Sequence, residues 1–413
     1  MSVSIENLLD IPGVQVLKTE INEREISIHV KIESNYTRCH RCGQKVTEFH
    51  CAGETLRLRH LSIFERPVYL YLHTKRYRCL NCDGRPSTTQ HEDWYDIDAH
   101  CTKAYANYLL REMVGSTLLD VARKLDMPYG VLRGLLLRNV SAEVDWGKFT
   151  RLIVIGLDEI SLLKGHRDFV TIVSTRDSDG RPTILAVLDG RAKETVKAFL
   201  HSIPEHLRMT VEQVCADMYE GFTNAVKEVL PAARVVADRF HVAKAYRSAL
   251  DELRKIEMRE LKAALKPEEY AGLKGVMWAL RRNQEDLTEE EMRLLELLFD
   301  CAPALRRAYK LREKLTRIFE TNHTKESARQ ALRRWIAEVN RSGLTCFDTF
   351  LSTLEKWMDE ITNYFISRLT SGWVEGFNTK IKVLKRRCYG ITNPASLFRR
   401  IWLDLNGMDA FAQ

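Results

Sequence analysis

Three acidic residues stand where a carboxylate is expensive. Asp158 closes the apolar run IVIGLD, Asp217 closes VEQVCAD, and Glu375 lies among cations in SGWVEGFNTKIKVLKRR. An acid at the end of a buried strand costs free energy unless it is paired or metal-bound. Phosphodiester hydrolysis and transesterification need an activated oxygen nucleophile and a stabilised leaving oxygen. Two divalent ions about 4 Å apart supply both, held by carboxylates from separate elements. Hard cations such as Mg²⁺ or Mn²⁺ take oxygen ligands and few protein carboxylates. Asp158, Asp217 and Glu375 are therefore expected as catalytic metal ligands. The plainer alternatives are a helix cap or turn for either Asp, and a surface ion pair for Glu375. Asp238 ends VVAD and rivals Asp217 as a ligand; with His241 it is otherwise expected to support the site from behind the ligands. Glu159 should face away from Asp158 by strand alternation. Asn378 and Lys382 follow Glu375 at i+3 and i+7, on one helical face.

A second chemistry is written in two CxxC pairs, Cys39/Cys42 and Cys79/Cys82. Each pair lets two thiolates reach one tetrahedral Zn²⁺, and four thiolates close the site, so the zinc is structural. The Cys42-to-Cys79 interval is longer than a usual ribbon spacing and requires an inserted hairpin. No βαβ context surrounds either pair, which argues against a thioredoxin-like redox role. His40, His50, Cys51 and Cys101 repeat no two-residue spacing with a partner and read as bystanders.

These groups need elements to position them. Residues 14–36 alternate, with Ile26, Ile28, Val30 and Ile32 on one face, and Pro67–Tyr77 alternates again. Residues 1–95 thus read as a β-rich zinc-binding domain. From Ala99 the period turns helical, breaks at Asp126–Gly130 and resumes to Val140, so 96–148 is expected to hold a helix-turn-helix. Its second helix, Tyr129–Asn139, offers Arg133 and Arg138 to DNA, although two plain core helices would look the same. Apolar runs at Arg151–Leu157, Asp168–Thr175, Pro182–Leu188, Val211–Ala216 and Arg234–Ala237 read as strands, with helices at Ala192–Ile203 and Glu220–Leu230. That order, β-β-β-α-β-α-β, fits an α/β RNase H-like core over 149–240. Residues 241–370 are charged and helical, an all-helical insertion in which Thr288 and Glu291 could form a capping box. Residues 371–413 return to the core as a C-terminal helix bearing Glu375. That segment carries seven Lys/Arg against three acids. Lys382, Lys385, Arg386 and Arg387 are expected on DNA phosphates, where binding is salt-sensitive; a solvated helix end is the alternative.

The bulk numbers agree. A chain of 413 residues with a net charge of +7 can build several cores and suits a polyanionic partner. No basic start followed by an apolar run marks a signal peptide, and no run of about 18 apolar residues marks a membrane span. Ten scattered cysteines, four of them in CxxC pairs, point to a reducing compartment.

The stretches IGLDEISLLKGHRDFVTIV, CADMYEGF, VVADRFHVAK and SGWVEGFNTKIKVLKRRCYGITN resemble the DDE transposases of bacterial insertion sequences, and within them the ISL3 family. The resemblance runs from the first CxxC to about Leu405. It implies catalysis by Asp158, Asp217 and Glu375, with the helical insertion between the second Asp and the Glu. It also implies binding of double-stranded DNA at the element's terminal inverted repeats and at the target, strand transfer by a freed 3′-OH, and work at the bacterial nucleoid in the cytoplasm. Pairing two DNA ends implies a homodimer or larger synaptic complex. Two rival readings remain open. One is a zinc and helix-turn-helix DNA-binding regulator with an inactive nuclease core; the other is a different RNase H-like nuclease.

Overall fold

The computed structural model describes residues 9–163, 167–177, 179–368, 372–388 and 390–412, without the side chains of 163, 167, 168 and 372–375. The described chain divides into two compact units. One holds residues up to 142 together with 399–413; the other holds 143–398. Among the described residues no helix is long and apolar enough to cross a membrane.

The first unit begins with a mixed sheet. β1 (Val14–Ile21) and β2 (Ile26–Ile32) pair antiparallel. Asn22 makes the turn between them, its Oδ1 accepting from the backbone of Arg24 and Glu25 at 2.8 Å each. β2 buries Ile26, Ile28, Val30 and Ile32, the alternation read from sequence. The long hairpin β3 (Phe49–Ile63) and β4 (Arg66–Arg78) follows, with β4 parallel to β2. Phe64 and Glu65 turn the hairpin, both in the left-handed region (φ 48° and 64°), as a two-residue turn requires. Leu58, Val68, Leu70 and Leu72 complete the apolar face. This hairpin is the insert that the spacing between the cysteine pairs demanded.

Three helices follow: α1 (Lys103–Glu112), α2 (Leu118–Lys124) and α3 (Tyr129–Asn139). The single helical run expected before Asp126 is broken in two. Gly115 takes φ 70°, and the Thr117 hydroxyl accepts from Asp120 N at 3.0 Å to cap α2. Leu109, Leu110, Val121, Leu132 and Leu135 form the core of the trio, joined by Leu403 of the last helix (Pro394–Ala410) and by Phe411 just beyond its end. Arg400, 3 % exposed, donates to the Met113 carbonyl at 3.1 Å and to that of Ser116. The second half of that helix therefore packs with the trio, which its placement in 371–413 had not suggested.

The second unit is built on a five-stranded sheet. Its members are β5 (Val154–Leu163), β6 (Arg167–Arg176), β7 (Pro182–Asp189), β8 (Gln213–Ala216) and β9 (Arg234–Ala237). The order is β7-β6-β5-β8-β9. The β5–β6 and β6–β7 pairs are antiparallel, whereas β5–β8 and β8–β9 are parallel. Side chains alternate across it. Ile155, Leu157, Val214 and Val235 face a core shared with α4 (Lys193–Ser202) and α5 (Glu220–Val229). Val154, Cys215 and Val236 face the opposite core, which is filled by the helices after residue 238.

Those helices start with α6 (Arg239–Ala264) and run through α7 (Glu289–Cys301), α8 (Pro303–Glu320), α9 (Lys325–Ser342), α10 (Asp348–Lys356) and α11 (Met358–Ser367). Thr288 and Glu291 form the capping box, with 3.2 Å and 3.1 Å hydrogen bonds. Two buried aromatic polar groups find backbone partners here: Tyr246 donates to the Ala308 carbonyl at 2.7 Å and Trp335 to that of Leu311 at 2.8 Å. Asn363 of α11 donates to the Val235 carbonyl at 2.8 Å, tying the helices to the sheet. α12 (Gly372–Arg387) then packs on β5 and β7.

Candidate active site

The parallel ladder ends at Leu157↔Ala216 and Ala216↔Ala237. The next residue on each strand is an aspartate: Asp158, Asp217 and Asp238. Three carboxyl groups thus emerge in register, all on the sheet face shared with the α6–α11 helices. Asp158 was expected to end its strand, but β5 continues to Leu163 against β6 because Ile160 and Leu162 keep the buried alternation. Only the parallel partner stops there. Glu159 points the other way and pairs with Arg191 at 3.0 Å.

Asp158 is 8 % exposed. Burial, and then the neighbouring Asp217 charge, push its carboxyl up to about 7; His241 and Lys382 pull against that rise. His241 Nδ1 donates to Asp217 Oδ1 at 2.6 Å. Burial alone would lower the imidazole, but the bond to Asp217 and the charges of Asp217, Asp238 and Asp158 outweigh it and raise it. Asp238 is engaged within its own segment, where its Oδ1 accepts from Phe240 N at 2.8 Å and caps α6. Donor atoms of Asp158, Asp217 and His241 lie within 4.8 Å of one another. Two carboxylates and an imidazole at that separation fit a divalent ion of the Mg²⁺–Mn²⁺ class, the nitrogen favouring Mn²⁺.

The three residues line a cleft of about 790 Å³ with Lys244, Lys382, Lys385 and Arg386. Lys385 donates to the Ser161 carbonyl, and burial lowers its ammonium. Arg387 does not line the cleft. Glu375 belongs to α12, but its side chain lies outside the described residues. On the same helix Phe377, Asn378, Ile381 and Leu384 are buried, and Asn378 Oδ1 has no hydrogen-bond partner among the described residues. Sequence reasoning passed over Lys244. Its signal was present, since it stands three residues beyond His241 in the first turns of α6.

In the first unit the four paired cysteines converge. Cys39 and Cys82 sulfurs lie 4.0 Å apart, Cys42 and Cys79 sulfurs 3.8 Å, and all four within 4.8 Å. A tetrahedral zinc with Zn–S bonds of about 2.3 Å sets sulfurs about 3.8 Å apart. A disulfide would need about 2.05 Å. The knuckle turns place Gly43 at φ 70° and donate Gly43 N to the Cys39 carbonyl at 2.9 Å. The bystanders are engaged elsewhere: His40 with Thr88, His50 with Arg78, and Cys101 in the helical core. On α3, Arg138 pairs with Asp96 at 3.2 Å, while Arg133 is exposed.

An acidic centre at the end of a mixed sheet, covered by inserted helices and preceded by a four-cysteine ribbon, is the arrangement of a DDE transposase with a zinc-ribbon domain. The comparison with protein families agrees. The ISL3 transposase family matches residues 155–401, and the zinc-finger family of the IS204/IS1001/IS1096/IS1165 transposases matches 35–82. The chain belongs to the ISL3 family of transposases. It is 29 % identical to the transposase for insertion sequence element IS1001 of Bordetella parapertussis, over 92 % of this chain and 91 % of that protein. It is 27 % identical to the transposase for element IS1557 of Mycobacterium tuberculosis (strain CDC 1551 / Oshkosh), over 90 % and 86 %. Among solved structures, the Drosophila P element transposase strand transfer complex aligns with a TM-score of 0.39 and 12 % identity, over 75 % of this chain and 93 % of that one.

Proposed function

We propose that this transposase binds the ends of its insertion sequence, cuts them, and joins a freed 3′-OH to target DNA, using Mg²⁺ or Mn²⁺ held by Asp158, Asp217 and Glu375. The observation that carries the reading is the emergence of Asp158 and Asp217 side by side where the parallel ladder stops, at the mouth of a cation-lined cleft. When bound, divalent ions there supply an activated oxygen nucleophile and a stabilised leaving oxygen. The chain's own residues do the rest. His241 fixes the orientation of Asp217 through its 2.6 Å bond. Asp238 supports the site by capping α6 rather than by binding an ion. Lys382 and Arg386 line the cleft on the side where α12 runs, as phosphate-positioning groups require. Lys385 and Arg387 are assigned to the same strand of DNA. Asn378, buried on α12 with an oxygen that has no partner among the described residues, is assigned to support the segment that carries Glu375.

The architecture fits an RNase H-like core of residues 149–240 and 371–413 around the helical insertion 241–370. The 3-2-1-4-5 strand order and mixed pairing support this. Residues 1–95 hold a structural zinc, and 96–148 serve as a helix-turn-helix in which Arg133, exposed on α3, faces DNA. Arg138 would have to leave Asp96 to join it. Pairing of two element ends calls for a dimer or larger assembly. The unpaired thiols of all ten cysteines suit the bacterial cytoplasm.

The test is cleavage of the element's own end DNA in Mg²⁺ or Mn²⁺. Wild type should cut and join, while Asp158→Asn, Asp217→Asn and Glu375→Gln should each lose at least about 10³-fold with DNA binding retained. Cutting by Asp217→Asn would move the assignment to Asp238. Binding without cutting by all four proteins would favour a DNA-binding regulator.

A further inference from the structure

The catalytic cleft shares a wall with a second groove of about 420 Å³, lined by Phe240, Lys244, Arg247, Asp251, Lys255 and Arg281 among others. Phe240 and Lys244 belong to both, so the groove opens from the cleft that holds Asp158 and Asp217. Phe240, Lys244 and Arg247 recur at i, i+4 and i+7 and share one face of α6. Phe240 is 36 % exposed, a large apolar ring on a polar wall. It meets the His241 ring at a tilt, 5.7 Å between centroids and 53° between planes, not in a flat stack. Lys244 and Arg247 are exposed and make no ion pair or side-chain hydrogen bond among the described residues. Of the two acids that line the groove, Asp251 is held by Arg254 at 2.8 Å, Lys255 at 3.3 Å and Arg281 at 3.9 Å, and Glu252 is exposed, outnumbered by the cations around it. An exposed ring beside two cations that have no partner among the described residues matches the parts of a nucleotide, a π-face for the base and positive charge for its phosphates.

We propose that Phe240, Lys244 and Arg247 form a nucleotide subsite. An unpaired base of the strand leaving the catalytic cleft stacks on Phe240, and its flanking phosphates meet Lys244 and Arg247. The base must be unpaired, because within a duplex its faces are covered by its neighbours. Phe240 is then a positioning residue that fixes which phosphodiester lies over Asp158 and Asp217. The subsite rests on the reading of those aspartates as the cutting centre.

The experiment uses the full-length protein and element-end DNA carrying 2-aminopurine, in turn, at each position flanking the cut site. Binding is followed in Ca²⁺ and cutting in Mn²⁺. Wild type should quench the probe strongly at one position only. Phe240→Ala should abolish that quench, bind end DNA with an unpaired flank about tenfold more weakly, and bind fully paired DNA with less than about a twofold change. Phe240→Trp should restore the quench and the affinity. Cutting by wild type with no stacked position, or a quench that survives in Phe240→Ala, overturns the subsite alone. Failure of wild type to cut in Mn²⁺ overturns the catalytic reading, and the subsite stands or falls on the Phe240-dependent quench.

Discussion

Asp158 keeps its proton to a pH near 7 because burial and the Asp217 charge disfavour the carboxylate. A metal ion must displace that proton. Divalent-ion affinity should therefore rise with pH and fall about tenfold per unit below pH 7, as titration calorimetry can measure. Metal-free stability runs the opposite way. The folded value lies above the ordinary 3.8, so the folded state holds the extra proton, and stability drops as pH rises from about 4 to about 7. His241→Ala frees Asp217 and should weaken ion binding or cutting about 10- to 100-fold, more in Mg²⁺ than in the more tolerant Mn²⁺. In the first unit His60 is 4 % exposed, and its Nδ1 meets the Thr102 hydroxyl at 2.9 Å. Burial, then Arg59, lowers it to about 4. Here the folded value lies below the unfolded 6.5, so the unfolded chain binds the extra proton. Stability should fall on the order of 2–3 kcal/mol as pH drops from 6.5 to 4, and His60→Asn should flatten that slope in denaturant titrations. At this scale the sequence was legible where a residue breaks its own pattern, as Asp158 and Asp217 do. It was mute where partners come from afar: nothing in DRFH says that its His bonds the second aspartate or that its Asp caps a helix.

Elements were legible where one periodicity dominates. β2 and β9 follow their apolar patterns, and α3 falls on Tyr129–Asn139 as read. The break between α1 and α2 was missed because leucines run on both sides of it, although Gly115 and Thr117 carry the stop and start signals. The length of β5 was missed because Glu159 and Ser161 interrupt the apolar run while Ile160 and Leu162 continue the strand. The last helix docks through Arg400, whose guanidinium caps carbonyls beyond the end of α1. Arg400→Ala leaves those carbonyls buried and should cost on the order of 3 kcal/mol. Chemical denaturation followed in the first unit would read it; a change under about 0.5 kcal/mol would mean that water replaces the guanidinium. The zinc knuckles make a different prediction. The strands carrying Cys42 and Cys79 toward each other are already paired, Phe49 opposite Tyr77. Chelation of zinc should therefore loosen the knuckles, seen as faster thiol alkylation, while the far-ultraviolet signature of the sheet persists.

At the scale of the whole second unit, the helices from α6 to α11 form the second layer of the sheet. Tyr246, Trp335, Phe347 and Phe350 join Val154, Cys215 and Val236 in one apolar cluster. Excising 241–370 would bare that face, and the product should aggregate instead of forming a smaller nuclease. The same feature governs how the protein is made. The ribosome releases β5, β8 and β9 with one face unclothed; the side chains that cover it begin with Val242 and Tyr246 but are complete only at Phe365, about 130 residues after β9. At roughly 5–20 residues per second that interval is on the order of 10 s. Through it the nascent chain keeps part of the face of Val154, Cys215 and Val236 open to its surroundings, an apolar surface of the kind that chaperones bind.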